Sequence, residues 1–216
     1  MLDNTVYLLA HGTWESFYMV VISGLISVIG GLPLGVLLFT TQPGNILQHA
    51  LFNRGLSFVV NVLRAIPFII LLIALIPFTR LIVGTAIGTE AAIVPLSIAA
   101  IPFVARIVEN ALTEVHSGLI EAGNAMGATS WQIIYKILLP ESRPGIIQGA
   151  TVTWINLVGY SAMAGTVGGG GLGSLAINYG YLRFNVPILI ATVVILILLV
   201  YVIQYMGDWL ARRCVH

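Results

Sequence analysis

Charged side chains are scarce in this sequence, and their scarcity decides the class of protein. Only 8% of the 216 residues are charged and 58% are hydrophobic, whereas about 25% of the residues in an ordinary soluble domain are charged. So few charges cannot cover a surface exposed to water. Because lipid allows only helices or closed barrels, and the apolar runs are continuous rather than alternating, we expect an all-α integral membrane protein.

The sequence also lacks the residues of several kinds of site. A single cysteine, Cys214, excludes an internal disulfide and a cysteine zinc cluster. The scattered basic residues and net charge of +1 give no support to nucleic-acid binding. The histidines form no H-E-x-x-H motif, so no metal site is expected at His11, His49, His116 or His216. No Walker motif G-x-x-x-x-G-K-[ST] is present, so any ATPase must be another polypeptide.

Acidic residues are absent from the middle of every long apolar run. A carrier driven by protons or sodium usually places ionisable groups near the middle of the bilayer, so this absence weakens that class. A membrane-embedded enzyme is weaker still, because no nucleophile lies beside a base in the pattern that catalysis requires. We therefore expect no catalytic residues.

Five apolar segments are long enough to cross a membrane, for which a helix needs about 20 residues. We expect spans at about residues 17–39, 56–78, 90–108, 146–167 and 186–206, in a single transmembrane domain over residues 1–216. Gly31-x-x-x-Gly35 in the first span, with Pro33 between, predicts a close helix contact and a kink. Arg64, in the second span, is more readily explained by anchoring or pairing than by transport.

The distribution of basic residues orients the spans. The N-terminus and the loops after spans two and four hold only Arg80 and Arg183. The opposite side holds six basic residues, which are Arg54, Arg106, Lys136, Arg143, Arg212 and Arg213. By the positive-inside rule the second side is cytoplasmic, so we expect the N-terminus outside and the C-terminus in the cytoplasm.

This orientation puts a long loop, residues 109–145, in the cytoplasm. Ser117 is expected to cap a short helix that runs to about Met126. Leu119, Ala122, Gly123 and Met126 follow helical spacing and predict a shallow face of mostly small residues, which a partner can approach closely.

A second helix is expected at residues 130–139, after a turn at Gly127. A capping box of Thr129 and Gln132 begins this helix, and Pro140 is expected to end it. Its predicted apolar stripe consists of Trp131, Ile134, Tyr135 and Leu138, with Ile133 and Ile137 on another side. A short helix that is apolar on nearly every side needs cover on nearly every side, so we expect a partner protein. The alternative is an amphipathic helix lying among the lipid headgroups.

The loop also carries a family motif. Glu121-Ala122-Gly123, then Gly127, Ile137 and Leu139-Pro140 resemble the EAA loop of ABC-importer permeases, with Gly123 where that family usually has alanine. The resemblance implies that Glu121 to Pro140 forms coupling helices that dock on a separate ATP-binding subunit. The residues expected to couple are Glu121, Ala122, Gly123, Met126, Gly127, Trp131, Ile137, Leu139 and Pro140.

A glycine-rich stretch indicates which family of ABC-importer permeases the chain resembles. "GGGGLG", residues 168–173, satisfies G-x-G-x-x-G, but no strand precedes it and no acidic residue follows at the required distance. We interpret it as a flexible extracytoplasmic turn. The longer stretch "AGTVGGGGLGSLAINYGYLRFN" resembles the permeases of the methionine importer family, as do the length and the five spans.

The expected substrate pathway lies in the fourth span. Asn156, Tyr160 and Met163 recur at i, i+4 and i+7 and so share one face. Helix packing explains the same residues equally well.

Together these features predict a helical membrane protein with a cytoplasmic docking loop, and the resemblance implies a permease of the bacterial inner membrane with type I ABC-importer architecture that imports methionine. Because five helices supply only a small wall, we expect two copies of this chain to enclose the pathway about a two-fold axis. The resemblance implies two ATP-binding subunits and an extracytoplasmic binding protein, with ATP and Mg²⁺ bound by the ATPase and no cofactor on this chain. The alternatives are a permease for another small amino acid or solute, and a membrane scaffold that does not transport.

Overall fold

The computed structural model describes residues 2–214, and every regular element in that range is a helix. The α-helices in chain order are α1 (Leu2–Thr40), α2 (Ala50–Ala65), α3 (Phe68–Ala74), α4 (Ile76–Val83), α5 (Thr89–Thr113), α6 (Ser117–Ala125), α7 (Ser130–Ile133), α8 (Leu139–Glu141), α9 (Arg143–Thr166), α10 (Gly171–Leu175) and α11 (Val186–Arg213). Two π-helical segments lie between them, π1 (Ile134–Leu138) after α7 and π2 (Ala176–Tyr181) after α10. The expected all-α architecture is therefore confirmed for the described residues.

Length and composition single out the helices that can cross a membrane. Within the described residues α1, α5 and α11 are long and apolar enough, and the bent pair of α2 and α3 makes up to four spans. Helix α9 has 24 residues, or about 36 Å, but hydroxyl and amide side chains interrupt its apolar residues. It packs against α1, α3, α5, α10 and α11, so little of its surface needs to match lipid.

The second predicted span is not one straight helix. Between α2 and α3 the chain bends by 101°. Ile66 has extended backbone angles (φ −76°, ψ 124°) and Pro67 follows it. Proline lacks an amide hydrogen and disfavours helical angles in the residue before it, so a continuous helix over residues 56–78 cannot form.

Helices α1 and α5 lie unusually close together. A Cβ on Gly31 would stand 2.6 Å from the Val104 Cβ, and a Cβ on Gly35 would stand 2.5 Å from the Ala105 carbonyl oxygen. Both glycines are therefore required for the approach of the two backbones, and the predicted contact at Gly31-x-x-x-Gly35 is confirmed.

Three apolar clusters hold the described helices together, and the smallest, Leu38, Val60 and Ala105, joins α1, α2 and α5. The first includes Met19, Leu96 and Leu157 and joins α1, α5 and α9. The second lies at the end of α5 that leads into the loop, and its buried members are Phe39, Val104, Val108, Leu112, Val115, Ile133, Ile134 and Leu138. The second cluster fixes the loop of residues 109–145 to the helix bundle.

Candidate functional site

Helix α6 opens the folded part of the loop. The backbone amide of Gly118 donates a hydrogen bond to the His116 Nδ1 at 3.1 Å, and Ser117 is the first helical residue. The prediction that Ser117 caps this helix is therefore wrong. An imidazole nitrogen one residue earlier satisfies an exposed amide of the first turn as a serine hydroxyl would.

Gly127 reverses the chain after α6. Its φ is +76°, and the amide of Ala128 donates to the Gly123 carbonyl at 3.1 Å, which satisfies an acceptor at the helix end. A side chain at this position would meet nothing within 4 Å. Glycine is therefore needed for the backbone conformation alone, and the predicted turn is confirmed.

The predicted capping box begins the second helical segment. The amide of Thr129 donates to the Gln132 Oε1 at 2.8 Å, and the amide of Gln132 donates to the Thr129 Oγ1 at 3.4 Å. Both side chains satisfy backbone amides that have no partner within the helix. The prediction of this box is confirmed.

Pro140 does not end this segment. The chain stays helical from Ser130 to Glu141 through α7, π1 and α8, and the amide of Leu139 bonds to the Ile134 carbonyl five residues earlier. A proline in an α-helix clashes with the carbonyl four residues before it. The wider π turn just before Pro140 relieves that clash, which explains why the predicted end at Leu139 is wrong.

The predicted apolar stripe of this segment divides into two faces. Ile134 and Leu138 of the stripe are buried in the cluster at the end of α5, together with Ile133 from the other predicted side. Trp131 and Tyr135 are 67% and 64% exposed, and their rings stack with centroids 5.9 Å apart. The predicted stripe assumes α-helical spacing, whereas the π turn at Ile134–Leu138 adds a residue and rotates the side chains that follow it.

The small-residue face of α6 also divides. Gly123 is buried, and a Cβ there would stand 2.8 Å from the Ile137 Cδ1. Glycine in place of the usual alanine therefore lets α6 pack directly on π1. Ala122 and Met126 remain exposed, the latter to 87%.

Six of the residues expected to couple, or next to them, are exposed on the loop, and they include aromatic and sulfur-containing side chains. We call these six residues the loop surface, and they are Glu121, Ala122, Met126, Gly127, Trp131 and Tyr135. Of the other residues expected to couple, Gly123 is buried and Ile137, Leu139 and Pro140 are half-buried. Of these four, Ile137 and Leu139 pack against the cluster at the end of α5, and Gly123 lies against Ile137.

The candidate pathway residues occupy different environments along α9. Asn156 is half-buried, and Met163 is 48% exposed. The ring of Tyr160 stacks on that of Phe68, with centroids 4.6 Å apart and planes inclined by 8°. Phe68 is the first residue of α3, directly after the bend, so α9 meets the broken segment at Tyr160. Nothing in the sequence near Phe68 indicated this contact.

The glycine-rich stretch is tethered. Gly168, Gly170 and Gly171 have positive φ angles, and the amide of Gly171 donates to the Glu15 Oε2 at 2.7 Å. The amide of Leu172 donates to the Ser16 Oγ at 2.9 Å. The expected flexible turn is thus a fixed approach of the chain to α1.

Glu15 is the residue of this region that sequence reasoning missed. Its side chain also accepts a hydrogen bond from the Thr89 hydroxyl at 3.2 Å, and the His11 Nδ1 lies 3.6 Å away. It therefore links α1 to the starts of α5 and α10. No motif surrounds it, and an acid in an otherwise uncharged stretch was the one available signal.

His49 and Arg64, two polar residues considered in the sequence analysis, have structural partners. The backbone amide of Phe52 donates to the His49 Nδ1 at 3.3 Å, so His49 caps α2 as His116 caps α6. His216 lies outside the described residues. The guanidinium of Arg64 lies 5.5 Å from the centre of the Phe103 ring, a cation–π distance that fits an anchoring role.

Comparison with known proteins relates the whole chain to one family. The model of the binding-protein-dependent transport system inner membrane component family matches residues 31–216. The chain is 56% identical over 209 residues to the probable D-methionine transport system permease protein MetI of Vibrio cholerae, covering 97% of this chain and 93% of that protein. It is 52% identical to the Pasteurella multocida protein of the same description, covering 97% and 96%.

Solved structures agree with the sequence relatives. A chain of the inward-facing MetNI methionine ABC transporter superposes with a TM-score of 0.98 at 52% identity, covering 100% of both chains. A chain of an amino acid ABC transporter solved with histidines superposes with a TM-score of 0.80 at 18% identity, covering 98% of this chain and 96% of that one. The second similarity concerns the fold alone.

Proposed function

Because the chain belongs to the family of binding-protein-dependent transport system inner membrane components, we propose that it is the permease subunit of an ATP-driven importer of methionine. The observation that carries the proposal is the two-sided loop: one face is buried in the cluster at the end of α5, and the other exposes the stacked rings of Trp131 and Tyr135. The names of the relatives supply methionine as the substrate.

The proposed topology has five spans. They are α1, the bent segment of α2 and α3, α5, α9 and α11, with the N-terminus outside and the C-terminus in the cytoplasm. The excess of Lys and Arg on the loop side supports this orientation. The proposed architecture is that of a type I ABC importer.

The proposed assembly contains two copies of this chain around a two-fold axis, because so few spans make only a small wall. Two ATP-binding subunits dock in the cytoplasm, one at each loop surface, and bind the ATP and Mg²⁺. A binding protein delivers the substrate on the opposite side of the membrane. This chain itself catalyses no covalent step.

In the proposed mechanism, the chain converts a displacement of the ATPase subunits into a change in the side of the membrane to which the pathway is open. When the ATPase subunits close, they move the loop surface, and the buried side chains of Ile133, Ile134 and Leu138 pass that motion to α5. Packed helices move as rigid bodies rather than deforming continuously, so the two copies alternate between inward-open and outward-open states.

Co-purification tests this function directly. A tagged chain is expected to bring an ATPase with it at equal stoichiometry, and the complex in proteoliposomes is expected to take up methionine when ATP is present. A panel of unlabelled amino acids, including both enantiomers of methionine, identifies the substrate by competition. Absence of the ATPase would favour a scaffold, and stronger competition by another amino acid would reassign the substrate.

Substitution at Gly127 tests the role of the loop. Valine at this positive φ costs about 1–2 kcal/mol in left-handed strain, so Gly127→Val is expected to displace α6 and reduce ATP-driven uptake. Gly127→Asn is the matched control, since asparagine tolerates this conformation. Normal uptake and normal ATPase association in Gly127→Val would remove the loop from the coupling mechanism.

The proposed pathway runs along the face of α9 that bears Asn156, Tyr160 and Met163. Met163 is half-exposed, so a tryptophan can enter there without a buried clash. Met163→Trp is expected to obstruct uptake while leaving ATPase association intact. Unchanged uptake kinetics would move the pathway to another face.

A further inference from the structure

An ion pair between a buried glutamate and a partly buried arginine lies near the end of α5. Arg106 Nη1 donates to Glu109 Oε2, and the two side chains are 19% and 6% exposed. In a chain with so few charges, two of them are enclosed one turn apart on the helix that leads into the loop. Removing one partner would leave the other charge buried without compensation, which is unfavourable.

The pair joins three parts of the chain. Arg106 Nη2 donates to the Asn61 Oδ1 at 3.0 Å and to the Ser57 carbonyl at 3.5 Å, both on α2. Gln42 Nε2, in the connection after α1, donates to the Glu109 Oε1 at 2.7 Å. The ion pair therefore fixes α5 to α2 and to the end of α1.

The ion pair lies between the cytoplasmic loop and the candidate pathway. On α5, Val104 and Val108 belong to the apolar cluster that buries Ile134 of the loop. On the other side, α2 continues through the bend into α3, where Phe68 stacks on Tyr160. The buried face of the loop is thus connected to Tyr160 of the candidate pathway through α5, the ion pair, and the chain that runs from α2 into α3.

We propose that Arg106 and Glu109 are positioning residues for coupling: they make α2 follow α5, so that a displacement of the loop surface reaches the broken segment at Phe68. This inference rests on the proposed function. The small apolar cluster of Leu38, Val60 and Ala105 already packs α2 against α1 and α5. Apolar contacts allow helices to slide, whereas the planar guanidinium of Arg106 donates to two acceptors on α2 and so sets the position of α2 relative to α5.

The test compares uptake with ATP hydrolysis in the assembled complex. Arg106→Met with Glu109→Met removes both charges together, so no unpaired charge remains buried and folding is preserved. This double variant is expected to bind the ATPase and hydrolyse ATP, while methionine uptake per ATP hydrolysed falls about tenfold. A merely stabilising pair would change the melting temperature and leave this ratio unaltered.

Asn61→Leu removes the shorter of the two hydrogen bonds from Arg106 to α2 and leaves the ion pair in place, so it decides the question if the double variant does not accumulate. It is expected to lower the same ratio. Arg54→Met is the matched control, because Arg54 is an exposed charge on the same helix, and it is expected to leave the ratio unchanged. Wild-type ratios in both the double variant and Asn61→Leu would overturn the inference, whereas failure of the wild-type complex to import methionine would overturn the proposed function instead.

Discussion

Two π-helical segments, π1 and π2, flank α9 at its two ends and are held in place by different forces. In π1, Ile134 and Leu138 are buried in an apolar cluster. Before π2, the first turn of α10 is fixed by hydrogen bonds from its backbone amides to Glu15 and Ser16. In π2 itself the one buried residue is Gly180, where a Cβ would stand 2.9 Å from the Leu189 Cβ. The chain before α9, which we call the apolar end, is therefore anchored by side-chain volume. The chain after α9, which we call the glycine-rich end, is anchored by backbone approach.

The largest expected effect on the free energy of unfolding is that of a substitution at the glycine-rich end. Gly171 has φ +72°, and a Cβ there would stand 2.6 Å from the Ser16 Oγ and 2.8 Å from the Met19 Cε. Gly171→Val is expected to lower the free energy of unfolding by about 4 kcal/mol through left-handed strain and overpacking. Thermal unfolding of the purified chain in detergent measures the loss.

Gly55→Val is the control for that substitution, since a Cβ on Gly55 meets nothing within 4 Å. Equal melting temperatures for Gly171→Val and Gly55→Val would show that the close approach to α1 is not what fixes α10.

At the apolar end, the expected loss of stability comes from the removal of buried side-chain volume. The Leu138 side chain is fully buried, and Leu138→Ala is expected to cost about 3 kcal/mol in unfolding free energy because it leaves a cavity. Leu119→Ala, at a side chain 41% exposed on α6, is expected to stay within about 0.5 kcal/mol of wild type. Similar melting temperatures for the two variants would mean that π1 is not anchored by burial.

The apolar end was largely predictable from the sequence and the glycine-rich end was not. Local rules found the capping box at Thr129 and the turn at Gly127, because both depend on neighbours within three residues. The π turn before Pro140 was missed because it depends on a compromise between that proline and the burial of Leu138. Glu15 was missed because its partners lie 156 and 74 residues away in the chain, and no periodicity reports contacts of that kind.

A smaller effect is expected at Glu15, which tests the polar anchoring directly. Glu15→Ala removes the acceptor for Gly171 and Thr89, and the loss of these charge-assisted hydrogen bonds is expected to cost about 2 kcal/mol in unfolding free energy. Glu15→Gln keeps one acceptor oxygen and should recover part of the loss. If alanine and glutamine lowered the melting temperature equally, or not at all, the carboxylate would not be the element that holds α10.

The smallest effect on stability is expected where the loop surface is most exposed, and there the comparison turns from folding to binding. Trp131→Ala should change the unfolding free energy by no more than about 0.5 kcal/mol, because its side chain is 67% exposed. The same substitution should weaken association with the ATPase about tenfold or more, since exposed tryptophans that anchor an interface carry much of its binding energy. Trp14, 64% exposed on α1, is a matched control, and Trp14→Ala should leave ATPase association unchanged. Pull-down of the ATPase by each tagged variant measures the association of Trp131→Ala and of Trp14→Ala. Equal ATPase recovery from the two variants would mean that Trp131 faces lipid headgroups. Because the two tryptophans are almost equally exposed, a lower recovery from Trp131→Ala alone would indicate that Trp131 contacts the ATPase.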